Sequence, residues 1–123
     1  MNLFSGGFIS GNKLVLDEDL IPLSKRVFPL VQNDQRVTLG MRPEAVNVSA
    51  EALSTNGIQL AGEVEAFESD FVHRIQTVYL RTGRWTYAGQ CSIDMKLQIG
   101  QRVQVSIDPE RLYFFDTNSG LRI

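Results

Sequence analysis

Apolar and polar side chains alternate along this chain in short runs, most sharply between Arg36 and Arg42. Val37, Leu39 and Met41 alternate there with Arg36, Thr38 and Gly40, the period of two that marks a strand with one buried face. Pro43 has no amide proton to give a ladder, so the strand ends at it. Val103, Val105 and Ile107 alternate in the same way with Arg102, Gln104 and Ser106, and Asp108-Pro109-Glu110 closes that run before Leu112 to Phe115. Between these lies a third series, Ile58 to Phe67, with Ile58, Leu60, Gly62 and Val64 on one face and Gln59, Glu63 and Glu65 on the other. Val72 to Thr82 is rich in β-formers, and Gly83-Arg84 turns it back into Trp85 to Ile93 as a hairpin.

The opening residues Met1 to Ser10 mix apolar side chains with Gly6 and Gly7, which suits a strand that bends closely over a neighbour. Lys13 to Asp17 and Leu20 to Leu23 read as two short strands across the polar turn Asp17-Glu18-Asp19. Ser24 is placed to cap a helical turn through Arg26, with Pro29 limiting its length. Asn33-Asp34 turns the chain into the strand at Arg36, and Ser49 to Gly57 reads as a surface loop. A long helical period is missing throughout, so the fold class is all-β with short connections.

The two sharpest strands belong to a half-repeat. Gln35-Arg36-Val37 to Pro43-Glu44 matches Gln101-Arg102-Val103 to Pro109-Glu110 in place, and Leu39, Met41 and Val46 fall opposite Val105, Ile107 and Leu112. Such self-similarity implies two related strand-turn units that pack together, each too small to bury its apolar face alone. One consequence is that Arg42 and Asp108 occupy matching places with opposite charges, each just before its proline.

Composition narrows the function. A chain of 123 residues with 43% hydrophobic content is expected to form one compact unit, with a two-lobed arrangement as the alternative. Twelve basic against fourteen acidic side chains leave a formal charge of −2, and without a basic block no nucleic-acid partner is expected. The first residues lack the pattern of a signal peptide, and no apolar run is long enough to span a bilayer. Cys91 is the only cysteine, which rules out an internal disulfide and reads as an inert thiol.

Glu63, Glu65, Glu68, Asp70 and His73 crowd one region, but their spacing favours a solvated acidic edge over a metal centre. Trp85, Tyr87, Tyr79 and Phe71 have only Arg74, Arg81 and Arg84 nearby, which favours core or interface packing over a stacking platform for bases. Phe4-Ser5-Gly6-Gly7-Phe8 has the look of an ABC signature without the helix start such a signature needs. No phosphate loop of the form Gly-x-x-x-x-Gly-Lys-Ser/Thr, no nucleophile elbow and no second histidine exist in the sequence, so no catalytic residues, metal ligands or cofactor-binding residues are assigned.

Leu39-Gly40-Met41-Arg42-Pro43-Glu44 resembles the Leu-Gly-Ile-Arg-Pro-Glu segment in the C-terminal regulatory domain of sugar-type (maltose or glycerol-3-phosphate importer-like) ABC importer ATPase subunits. Met1 to Phe4, the strand Gly62-Glu63-Val64-Glu65 and the close, Leu112-Tyr113-Phe114-Phe115-Asp116 followed by Ser119-Gly120-Leu121-Arg122-Ile123, are similar to the same family. The resemblance implies a small OB-like (TOBE) barrel over residues 1–123 as a single regulatory domain, with the ATPase domain absent from this chain and Met1 internal to a longer protein. Gly40, Arg42, Pro43, Glu44, Gly62, Glu65, Phe115, Asp116 and Gly120 are then the motif residues: Phe115 a core plug, Asp116 a turn former, Gly120 the positive-φ residue of the last turn.

Implied partners are a second copy of the subunit, its own ATPase domain, the membrane permease subunits reached through that domain, and a cytosolic regulatory protein. ATP and magnesium would belong to the full-length subunit, with no cofactor in this chain. The place would be cytoplasmic, at the inner face of the membrane. The segment Ala66 to Phe71 departs from the family pattern, leaving the transported solute and any partner at that edge open. The alternative is a free-standing molybdate-type (MOP-like) ligand-binding barrel.

Overall fold

The computed structural model describes residues 1–16, 19–23, 28–49 and 58–123. The turn expected at Asp17-Glu18, the cap at Ser24 with its turn through Arg26, and the loop beyond Ser49 lie outside the described residues. Among the described residues ten strands run in order β1 (Asn2–Ser10), β2 (Lys13–Leu16), β3 (Asp19–Pro22), β4 (Arg36–Met41), β5 (Val46–Ser49), β6 (Ile58–Asp70), β7 (Ile75–Thr82), β8 (Trp85–Ser92), β9 (Arg102–Ile107) and β10 (Leu112–Asp116). Among the described residues the helical content is single 3-10 turns at Phe28–Leu30, Pro43–Ala45 and Pro109–Arg111. Proline opens the last two, where its fixed φ fits and its missing amide costs nothing.

The chain divides into two compact units, one formed chiefly by 3–41 and 109–123, the other by Asn2 and 42–108. The first holds a five-stranded sheet in the order β10-β4-β1-β2-β3. Ile9, Leu14, Val37, Leu39, Met41, Leu112 and Phe114 are buried in it. Gly7 lets β1 lie closely over β2, since a Cβ there would sit 2.9 Å from the side chains of Leu14 and Leu16. The second unit is a closed barrel, β5-β8-β7-β6-β9, around Val46, Val64, Val78, Leu80, Val103, Val105 and Ile107. One parallel contact, Asn47 with Gln90, closes the ring between β5 and β8. Closure of this kind pairs each strand on both sides along the ring itself, while β6 runs on past its pairing with β9 at Glu63.

The half-repeat governs how the chain moves between the units. β4 and β9 share one burial pattern, exposed, buried, half-buried and then three buried residues. Each is followed by a 3-10 turn and a further strand. In the first unit β10 pairs with β4 so that Leu112 faces Met41; in the second, β5 pairs with β9 so that Val46 faces Ile107. Since Met41 corresponds to Ile107 and Val46 to Leu112, one pairing is made twice. The chain changes units after Met41 and again after Asp108, so each unit takes the first strand of one repeat and the second strand of the other.

Three details differ from the sequence reading. Val46 to Ser49, not read as a strand and with Ser49 placed in the loop, is the strand that closes the barrel. β6 runs on to Asp70 rather than stopping near Phe67, and the turn falls at 71–74, with Arg74 at φ 57°. Asp70 sets that turn by accepting the amides of Val72 and His73, each at 3.1 Å. Phe115 is half-buried, and the apolar plug on β10 is Phe114, 2% exposed. Alternation decides this, because Leu112 and Phe114 share one face of the strand and Phe115 points to the other.

Candidate functional site

Two of the motif segments meet in the first unit. Along β10, Tyr113 faces Gly40 and Asp116 faces Val37 on β4. Gly40 is required by close approach: a Cβ there would lie 2.7 Å from Sδ of Met1 and 2.9 Å from Cε2 of Phe115. Asp116 organises the closing turn. Its Oδ1 accepts the amide of Ser119 at 2.8 Å and its Oδ2 accepts Nε2 of Gln35 at 2.8 Å. The carbonyl of Asp116 accepts the amide of Gly120 at 2.7 Å, and Gly120 has the expected positive φ, 74°. The Ser119 amide, with help from Gln35, holds the Asp116 carboxyl below its ordinary value of 3.8. Arg122 then bridges back to Phe115 and lies over the ring of Tyr113, 4.7 Å from its centroid.

Arg42, Pro43 and Glu44 form the passage into the second unit. Arg42 is extended, with φ −80° and ψ 148°, and its carbonyl accepts the amide of Ala45 at 2.9 Å across the proline-led turn. Glu44 lies within the turn that Pro43 opens.

In the barrel, Gly62 packs where a Cβ would meet the Tyr87 hydroxyl at 3.2 Å and both Leu80 and Val105 at 3.4 Å. The buried Tyr87 hydroxyl is matched to Thr82 Oγ1 at 2.7 Å, and Thr82 donates to the carbonyl of Ala61 at 2.8 Å. Glu63 and Glu65 both flank Arg81, at 3.6 Å each. Half exposed as they are, such pairs contribute under about 1 kcal/mol. Asp70 Oδ2 meets His73 Nδ1 at 2.8 Å on the surface, and its bonds to the amide and ring of His73 lower its pKa. Among the described residues no group of three or more His, Cys, Asp or Glu side chains is arranged to hold a metal ion.

The four aromatic side chains do not form one face. Tyr87 is buried, Tyr79 is 40% exposed, Phe71 is 78% exposed, and Trp85 is covered by Arg84, whose guanidinium lies 4.3 Å from the ring centroid. A shallow hollow of about 260 Å³ opens between Asn2, Glu65, Tyr79, Thr86 and Ala88. Asn2 is fixed there by donating to the carbonyl of Ala88 at 2.8 Å and accepting its amide at 2.9 Å. In the first unit a polar hollow of about 530 Å³ is lined by Gln32, Asn33, Asp34, Gln35 and Asp116.

Sequence reasoning did not single out Gln76. Its side chain is buried, and Nε2 reaches the carbonyls of Ser92 at 3.0 Å and Met95 at 2.7 Å. The amide thereby ties β7 to the segment after β8; a polar residue on the inward face of a β-rich run was the available signal. Cys91, beside it, is half-buried, and burial pushes its thiol above the ordinary 9.0.

No protein-family profile and no curated protein matches the chain. Solved structures do. One is the cytoplasmic molybdate-binding protein ModG, in a crystal form with molybdate bound, which aligns with a TM-score of 0.68 over 92% of this chain and 94% of its own at 13% identity. The fold is therefore a small OB/TOBE-type β-barrel architecture that a binding protein also uses. No helix among the described residues is long and apolar enough to cross a membrane.

Proposed function

We propose that the chain is the accessory regulatory domain of the ATP-binding subunit of an ABC importer for a sugar or a related small polar solute. One observation carries this reading. The two segments with the strongest resemblance to that family, Leu39 to Glu44 and Leu112 to Ile123, stand some seventy positions apart in the sequence, yet their strands β4 and β10 are neighbours, with Met41 opposite Leu112. A chance resemblance at two distant places has no reason to fall on paired strands. On this reading the domain performs no chemistry. It holds two ATPase subunits in register through contacts with its counterpart, and tethering to the ATPase domain raises the effective concentration of weak contacts. ATP and magnesium act in the neighbouring domain, and the permease is reached through it.

The comparisons favour a second reading more directly: a ligand-binding barrel for a small oxyanion, as the architecture shared with a molybdate-binding protein supports. The gene separates the two. An open reading frame that continues upstream of Met1 into a nucleotide-binding domain is expected; a stop codon and a ribosome-binding sequence directly before Met1 would turn the assignment to the second reading.

A further inference from the structure

β7 is paired along both of its edges, with β6 from Glu63 to Asp70 and with β8 as far as Ile75 opposite Ser92. β6 is not. β9 accompanies it only from Ile58 to Glu63, and the amide of Val64 then closes the contact by donating to the carbonyl of Gln101. From Glu65 to Asp70 the far edge of β6 faces no strand among the described residues, and all six residues are exposed. Phe67 lies opposite the buried Val78 but remains 38% exposed, and Phe71 and Val72 at the tip are 78% and 87% exposed. Among the described residues the half-strand thus combines a main-chain edge with no strand beside it and apolar side chains in water.

Strand edges are commonly guarded by charge and by bulges, and both are here: the register shifts between Val64 and Ala66, and Glu65, Glu68 and Asp70 are the only charged side chains along the open half. The guard has one sign. A second copy would bring the same three acids to the seam, whereas an incoming strand with lysine or arginine would be attracted. Glu65 and Asp70 already have Arg81 and His73 beside them, while Glu68 makes no ion pair among the described residues. Glu68 lies opposite Thr77 on the face that carries Tyr79, and Phe67 lies on the reverse face.

We infer that Glu65–Asp70 is a docking edge for an extended segment of a partner protein in which basic and apolar residues alternate. The segment adds one strand to β6. Its main chain supplies the hydrogen bonds, its basic side chains run past Glu68, and its apolar side chains cover Phe67 and the Phe71-Val72 tip.

The test uses the 123-residue chain labelled with nitrogen-15 and the synthetic peptide acetyl-Lys-Val-Lys-Thr-Lys-Val-Lys-amide. Saturable shifts confined to 65–72 and slowed amide exchange over 65–70 are expected. A peptide of equal charge with proline at its centre should bind at least about tenfold more weakly, as should the normal peptide to Glu68→Lys, with Glu68→Gln between. Glu68 is exposed, so unchanged spectra elsewhere will show that both variants fold. Shifts centred elsewhere, equal binding of the proline peptide, an unaffected Glu68→Lys, or dimers of the chain joined through this edge would each overturn the inference.

Discussion

Asp116 shows how much one half-buried residue can organise: its carboxylate takes the amide of Ser119 and holds Gln35, and its main-chain carbonyl accepts the amide of Gly120. The bonds from the Ser119 amide and from Gln35 favour the ionised carboxylate, which is why its pKa lies below the ordinary 3.8. A carboxyl with a lowered folded pKa contributes stability that is fully present above its unfolded value and is lost as pH falls through the folded value. Asp116→Asn should therefore lower the melting temperature at neutral pH and narrow its gap to the parent as the pH falls below that of ordinary carboxylates, read from thermal melts in an acid series. Gly89 is the residue the pattern did not reveal. A Cβ there would stand 2.9 Å from Cγ1 of Val46 and 3.0 Å from its carbonyl oxygen, and that backbone atom cannot step aside as a flexible side chain can. Gly89→Ala should cost about 1–3 kcal/mol in denaturant unfolding, by forcing β5 away from β8.

At the scale of elements, the strands with strict alternation were legible from the sequence because burial on one face imposes a period of two. β4, β9 and the β7-β8 hairpin, with Gly83 at φ 59° in its turn, follow directly from it. β5 escaped because Val46-Asn47-Val48 is too short to display a period, and it becomes a strand only through β9 and β8 on its two sides. The late turn after β6 escaped for another reason: the apolar run stops at Phe67, and Glu68-Ser69-Asp70 continues the strand without a buried face to impose a period. The role of plug was assigned to Phe115 by motif, whereas alternation from Leu112 places it on Phe114. The half-repeat carries a prediction of its own. Arg42 and Asp108 hold equivalent places, each ending a strand before its proline, and their charges are opposite. A double-mutant cycle on Arg42→Ala and Asp108→Ala should give a coupling of up to about 1 kcal/mol. Strictly additive losses would remove the pairing and leave the repeat intact.

For the whole molecule, the repeat explains why a chain of this size can build two small β units: each copy of the repeat places its first strand in one unit and its second strand in the other, across a proline-led turn at Pro43 or at Pro109. Of the candidate site, the closing turn from Asp116 to Gly120 was legible because its spacing is local. The pairing of the two motif segments was not, since register between strands far apart in sequence leaves no local trace. The sequence has no phosphate loop, so titration with ATP and magnesium should show no saturable binding at micromolar concentration, about −8 kcal/mol of binding free energy. The most direct measurement is calorimetric titration of the chain with molybdate. A regulatory domain that works through its neighbours predicts no saturable heat up to millimolar anion; a saturable site at micromolar molybdate would contradict that function and establish an oxyanion-binding barrel in its place.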